Sequence, residues 1–172
     1  MSCKGASIYM AVTEPIRSKE QLATLANFFL HKGQLRNYVM IVLGACTVLR
    51  ISDLLRLRWE DVYDFDLKQF RTKIVLVEHK TGKEKIIAIN SQAINALRFY
   101  FPKRHGTFIF SNGRKTDRPI SRVQAWRVIH TAVIALGITD KIACHSLRKN
   151  VGLSCVDKRE YLASSDYADI QP

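Results

Sequence analysis

The longest apolar run of the chain, Val39 to Leu49, is too short to cross a bilayer and is interrupted by Gly44 and Thr47. Protein, not lipid, has to cover it. It belongs to a helix expected from about Leu35 to Cys46, with Tyr38, Val39, Val42 and Leu43 turned inward. The 172 residues suit one domain with a real core. Before this helix, Ser18-Lys19-Glu20-Gln21 reads as a capping box, Leu22, Leu25, Ala26 and Phe29 recur at helical spacing, and Gly33 ends that helix. After it, Ser52 is expected to cap a short helix carrying Leu54, Leu55 and Leu57.

The middle of the chain changes period. Phe70 to Glu78 is rich in Ile and Val and reads as a strand. Lys80-Thr81-Gly82-Lys83 is turn chemistry, and Lys85 to Ile89 is the return strand of a β-hairpin with lysines at its tip. Ser91 is expected to cap a helix ended by Pro102, and Thr107 to Phe110 to form a short strand. Ser121 caps a further helix, with Val123, Trp126, Ile129, Val133 and Leu136 on its inner side and Gly137 at its end. The expected class is α+β: mostly helical, with a small antiparallel β-sheet. Residues 1–14 are expected to be a flexible N-terminal segment, and residues 150–172 an atypical polar tail.

Charge narrows the partners. Twenty-seven Lys and Arg against fifteen Asp and Glu leave +12. Such an excess favours a polyanion, most often nucleic acid and less often an anionic membrane surface. The four cysteines show neither a C-x-x-C pair nor zinc spacing, so no metal site is expected, and reduced thiols in a cytoplasmic protein are the simplest account. No signal peptide or membrane span is visible, which points to a soluble protein.

The chemistry-bearing residues fall in four places. Arg50 precedes Ile51-Ser52-Asp53 where two helices meet, and Asp53 is placed to hold it. Lys80 sits at the hairpin tip. His145 and Arg148, three residues apart, share one face of an expected helix. Each has a plain structural alternative: an ion pair for Arg50, a solvated turn for Lys80, a solvated helix face for His145 and Arg148. As a set, two arginines, a lysine and a histidine fit phosphoryl transfer. Arginines clamp the non-bridging oxygens, and Lys or His moves protons.

These residues carry a resemblance to the tyrosine recombinases, or phage integrases. The matching stretches are Val48-Leu49-Arg50-Ile51-Ser52-Asp53-Leu54-Leu55 with Leu57-Arg58-Trp59-Glu60-Asp61-Val62, then His79-Lys80-Thr81-Gly82-Lys83, then His145-Ser146-Leu147-Arg148-Lys149. The resemblance implies a catalytic domain over residues 15–149. It implies a reaction in which a tyrosine attacks a DNA phosphate, forming a 3′-phosphotyrosine and freeing a 5′-hydroxyl, with DNA ends later rejoined. It implies no metal and no cofactor, because the phosphotyrosine conserves the bond energy. It assigns Arg50 and Arg148 to transition-state stabilisation, Lys80 to protonation of the leaving oxygen, His145 to proton transfer or phosphate holding, and Asp53 to support of Arg50.

The family pattern continues past the H-x-x-R helix to a Leu-Gly-His-like stretch and then the tyrosine. After Lys149 this chain departs from it, and Tyr161 and Tyr167 stand outside the family context, so no nucleophile is identified. The family's usual N-terminal helical domain has no counterpart in the residues before the first helix. Double-stranded DNA is the expected partner, contacted through Lys83, Lys85, Arg114, Lys115, Arg118, Arg122 and Arg127. Other recombinase protomers are expected on DNA, with a monomer in solution. Three readings follow: an integrase or recombinase of a mobile genetic element, a catalytically inactive DNA-binding fragment of one, and a basic DNA binder whose matches are accidental.

Overall fold

The computed structural model describes residues 19–47, 49–77, 84–113, 117–140, 142 and 144–148. Seven helices and four short strands occur among them. They are α1 (Lys19–His31), α2 (Leu35–Thr47), α3 (Ile51–Leu55), α4 (Trp59–Val62), β1 (Tyr63–Asp64), β2 (Gln69–Phe70), β3 (Lys73–Val77), β4 (Glu84–Ala88), α5 (Ser91–Tyr100), α6 (Arg122–Ala135) and α7 (Cys144–Arg148). A 3₁₀ turn, Phe101–Lys103, follows α5 with Pro102 in it. The architecture is mostly helical with two small antiparallel hairpins, as the α+β reading expected.

The apolar run forms the middle of the molecule. In α2 every residue except Arg36 and Cys46 is buried, and α1, α3, α5 and α7 all pack on it. A helix apolar all round needs cover on every side, and four neighbours supply it. The turn into α2 is closed at Gly33, which has a φ of 65°. The Gly33 N–H donates to Leu30 O and the Gln34 N–H to Phe29 O, each at 2.9 Å. This glycine-terminated helix end satisfies carbonyls that would otherwise be orphaned. Gly137 ends α6 in the same way, with the Ile138 N–H donating to Val133 O at 3.1 Å.

In the larger hairpin, β3 pairs with β4 in the register Lys73↔Ala88 to Val77↔Glu84. Its inner face sets Ile74 against the core, while Val75, Val77 and Ile86 on the outer face are exposed. The smaller hairpin, β1 with β2, was not expected from the sequence. Its turn is held by the Asp64 carboxylate, which accepts from the N–H groups of Asp66 and Leu67 at 3.1 and 3.0 Å. Tyr63 and Phe70 pair across it and pack on Phe101.

Several local expectations need correction. Arg50, not Ser52, is the residue before the first turn of α3, and Ser52 lies inside that helix. Asn90, not Ser91, caps α5: its side chain accepts from the Ala93 N–H at 2.9 Å. Asn caps about as well as Ser, and it stands one residue earlier, so its side chain takes the role. Thr107 to Phe110 is not a regular strand. It makes an isolated bridge, Arg58↔Phe108, and the Trp59 N–H donates to Thr107 O. The Ser121 cap and its capping box with Gln124 are present as expected. The inner face of α6 is different: Ala125, Ile129, Ala132 and Val133 are buried, whereas Val123 and Trp126 are 57% and 44% exposed. The capping box expected at Ser18 begins outside the described residues.

Candidate functional site

Arg50 stands in extended backbone, with φ −64° and ψ 145°, at the junction between α2 and α3. The chain has to leave one helix and enter another here, so the residue before α3 cannot be helical. Its carbonyl accepts the N–H groups of Asp53 and Leu54, both at 2.9 Å. Asp53 therefore meets Arg50 through the backbone as well as standing one turn from it. Both residues are half-buried.

His145 and Arg148 lie on α7, and the structure describes them by backbone only. What fixes α7 is one of the two residues between them. Leu147 is 1% exposed and seats on α2 at Gly44. A Cβ at Gly44 would stand 2.9 Å from Leu147 Cδ1, 3.4 Å from Leu147 Cβ and 3.5 Å from Leu54 Cδ2. Gly44 thus joins α2 to the helix of His145 and Arg148 and to the helix that follows Arg50. The two halves of the expected site share one packing contact. The loop before α7 is tied as well: Gln21 Nε2 on α1 donates to Asp140 Oδ2 at 2.9 Å, and the Ile142 N–H to Asp140 O at 2.8 Å.

α6 completes the surroundings, packing on both α3 and α7. Arg122 and Arg127 are exposed on it. Arg122 is near enough to act on Cys144, the first residue of α7. Burial pushes the Cys144 thiol up, and the Arg122 charge opposes that only in part. A thiol held above its ordinary value stays protonated at neutral pH and is a poor nucleophile. Beside Arg127, Trp126 stacks on His130 with ring centroids 4.6 Å apart and planes at 21°. The outer face of α6 therefore offers cations and flat rings together.

Of the remaining expected residues, Lys85 on β4 and Arg118 before α6 are exposed. Asn112 N–H to Arg118 O, 2.9 Å, closes the base of the loop between them. Lys80, Lys83, Arg114, Lys115, Tyr161 and Tyr167 lie outside the described residues. Among the described residues, no group of three His, Cys, Asp or Glu could hold a metal ion, and no helix is long and apolar enough to cross a membrane.

An open cleft of about 470 Å³ lies at the other end of α2 from Arg50. It is lined by Arg36, Tyr100, Lys103 and His105, among others. Arg36 there donates to Ser111 O at 2.8 Å and to Asn37 Oδ1, so it ties a loop to the start of α2. The residue that sequence reasoning missed is Gly44. Its signal was available, because a glycine inside an apolar helical run costs stability relative to alanine and calls for a packing reason.

Comparison with known proteins agrees with this fold. The pattern of the phage integrase family matches residues 17–158. The probable integrase/recombinase YoeC of Bacillus subtilis strain 168 is 31% identical over 163 residues, 94% of this chain and 82% of the relative. The crystal structure of XerA recombinase superposes with a TM-score of 0.64 at 20% identity, covering 81% of this chain and 49% of that one. Lambda integrase (residues 75–356), solved as a dimer bound to a COC′ core site, gives 0.64 at 18% identity and covers 81% and 50%. The chain spans about half the length of these two solved proteins, and at such identity their likeness is one of fold.

Proposed function

The chain belongs to the phage integrase family, and on that footing we propose that residues 15–149 are a tyrosine-recombinase catalytic domain acting in site-specific recombination or integration of double-stranded DNA. One observation carries the reading. The helix of His145 and Arg148 seats, through Leu147 and Gly44, beside the junction that presents Arg50. A phosphate held there would meet two guanidinium groups and an imidazole. Arg50 and Arg148 would hold its non-bridging oxygens and oppose the charge that grows in the transition state. His145 would hold the phosphate or assist proton transfer, Lys80 would protonate the departing 5′ oxygen, and Asp53 would support Arg50. Attack by a tyrosine hydroxyl forms the O–P bond of a 3′-phosphotyrosine as the bond to the 5′ oxygen breaks. That oxygen leaves as a hydroxyl, and the reverse step rejoins DNA.

The duplex would lie against Lys85, Arg118, Arg122 and Arg127, with Lys83, Arg114 and Lys115 on the neighbouring loops. The lambda integrase neighbour was solved as a dimer bound to a COC′ core site, which supports assembly of protomers on DNA. A monomer in solution and a cytoplasmic location are part of the same proposal.

The test is a nicked duplex that traps the covalent intermediate, after the target site is found by selection from a random library. An SDS-resistant adduct is expected if the chain carries its own nucleophile. Loss of that adduct in Tyr161→Phe or Tyr167→Phe would identify which tyrosine attacks. DNA affinity without any adduct would support the second reading, a DNA-binding fragment that has lost cleavage. DNA affinity indifferent to Arg50→Ala would sink the proposed site.

A further inference from the structure

We propose that Gly44 is a positioning residue, which sets how deeply α7 seats on α2 and so holds His145 and Arg148 in register with Arg50. The inference rests on the reading of the phosphate site given above and adds a residue that does not touch the phosphate.

Gly44 lies in the interior of a 13-residue helix, where the absence of a side chain is unfavourable in itself. Its backbone is ordinary helix, so no special conformation calls for glycine there. Space does. The 2.9 Å separation between an added Cβ and Leu147 Cδ1 is closer than carbon atoms pack. Leu147 cannot turn aside easily, because it and Leu54 are each only 1% exposed and the added carbon would also touch Leu54. Close-packed interiors pass such a displacement on to the backbone. The element freer to yield is α7, which packs on α2 and α6, rather than α2 with its four packed neighbours. Leu147 is adjacent to Arg148 and two residues from His145, so any outward shift of α7 carries the backbone of both with it and changes their placement relative to Arg50.

The clash involves one atom in particular. Leu147→Val removes both δ carbons, the clashing Cδ1 among them, moves the branch back to Cβ, and leaves Cβ itself at 3.4 Å, an acceptable contact. The double variant Gly44→Ala/Leu147→Val should therefore reseat α7.

Inorganic vanadate, a phosphate mimic that needs no known DNA site, is titrated onto the wild type, Arg50→Ala, Gly44→Ala and the double variant. The urea midpoint of each is recorded. Gly44→Ala is expected to lose about tenfold in vanadate affinity under conditions where it remains folded, since small misplacements of such groups are costly. The double variant is expected to recover to within about threefold of wild type on the same reasoning. A glycine with a merely structural role would lower the urea midpoint and leave affinity unchanged, and that result overturns the proposal. If Gly44→Ala does not fold, the double variant decides. Wild-type affinity in it supports the proposal, and a folded double variant without affinity overturns it. Wild-type protein that binds vanadate no better than Arg50→Ala marks a different failure, that of the phosphate site itself.

Discussion

Trp59 and Asp117 show how single residues set the balance of the fold. The Trp59 ring packs on Tyr100 and Phe101, with centroids 5.5 and 5.3 Å away, yet its buried indole Nε1 has no hydrogen-bond partner among the described residues. An unsatisfied buried donor costs about 1–3 kcal/mol. Trp59→Phe discards that donor while keeping much of the ring. Its urea unfolding free energy is expected within about 1 kcal/mol of wild type, whereas Trp59→Ala should lose about 3–5 kcal/mol. Asp117 is exposed, and its carboxyl is held below its ordinary value of 3.8 by the Thr107 side chain and by backbone N–H groups of Thr107 and Phe108. A depressed carboxyl adds stability above its unfolded value and loses it as the pH falls through the folded value. Asp61 has the opposite sign: burial raises it, so its contribution is greatest below 3.8 and declines as the pH rises. Urea midpoints taken from about pH 6 down to about pH 2 should fall less steeply at the acid end for Asp117→Asn than for wild type.

At the scale of elements, the helix ends at Gly33, Ser121 and Gly137 were legible, those at Ser52 and Ser91 were not, and the inner face of α6 was legible only in part. Ser121 with Gln124, Gly33 and Gly137 mark boundaries through local hydrogen bonds, which depend on neighbours in sequence alone. The inner face of α6 was misread because the large residues Val123 and Trp126 outweighed Ala125 and Ala132 in the pattern. Close approach of α6 to α1, α3 and α7 needs small residues at the contact, and the alanines supply them. The exposed Trp126 then becomes testable as a surface residue. Trp126→Ala is expected to change stability by no more than about 0.5 kcal/mol, as for surface substitutions generally. On the proposed function it should weaken duplex binding, read by fluorescence anisotropy. Arg122→Ala with Arg127→Ala should lower the slope of log K against log salt by about 1 for each phosphate contact removed. An unchanged slope would show that this face of α6 does not meet DNA.

For the whole molecule, the order of Arg50, Lys80, His145 and Arg148 in the chain was enough to point to a family, but not to show how the parts meet. That α7 returns to α2 at Gly44 depends on contacts across about a hundred residues of chain, which no local pattern encodes. The same long-range closure makes α2 the common wall of the core. Covered by four other helices, it has little opportunity for partial opening. Its backbone amides from Met40 to Leu43 should exchange with deuterium only when the entire molecule unfolds, while those at the β3–β4 hairpin exchange far sooner. These four amides would then act as an internal gauge of global stability: a ligand that stabilises the folded chain anywhere on its surface would slow their labelling, even where it touches none of them.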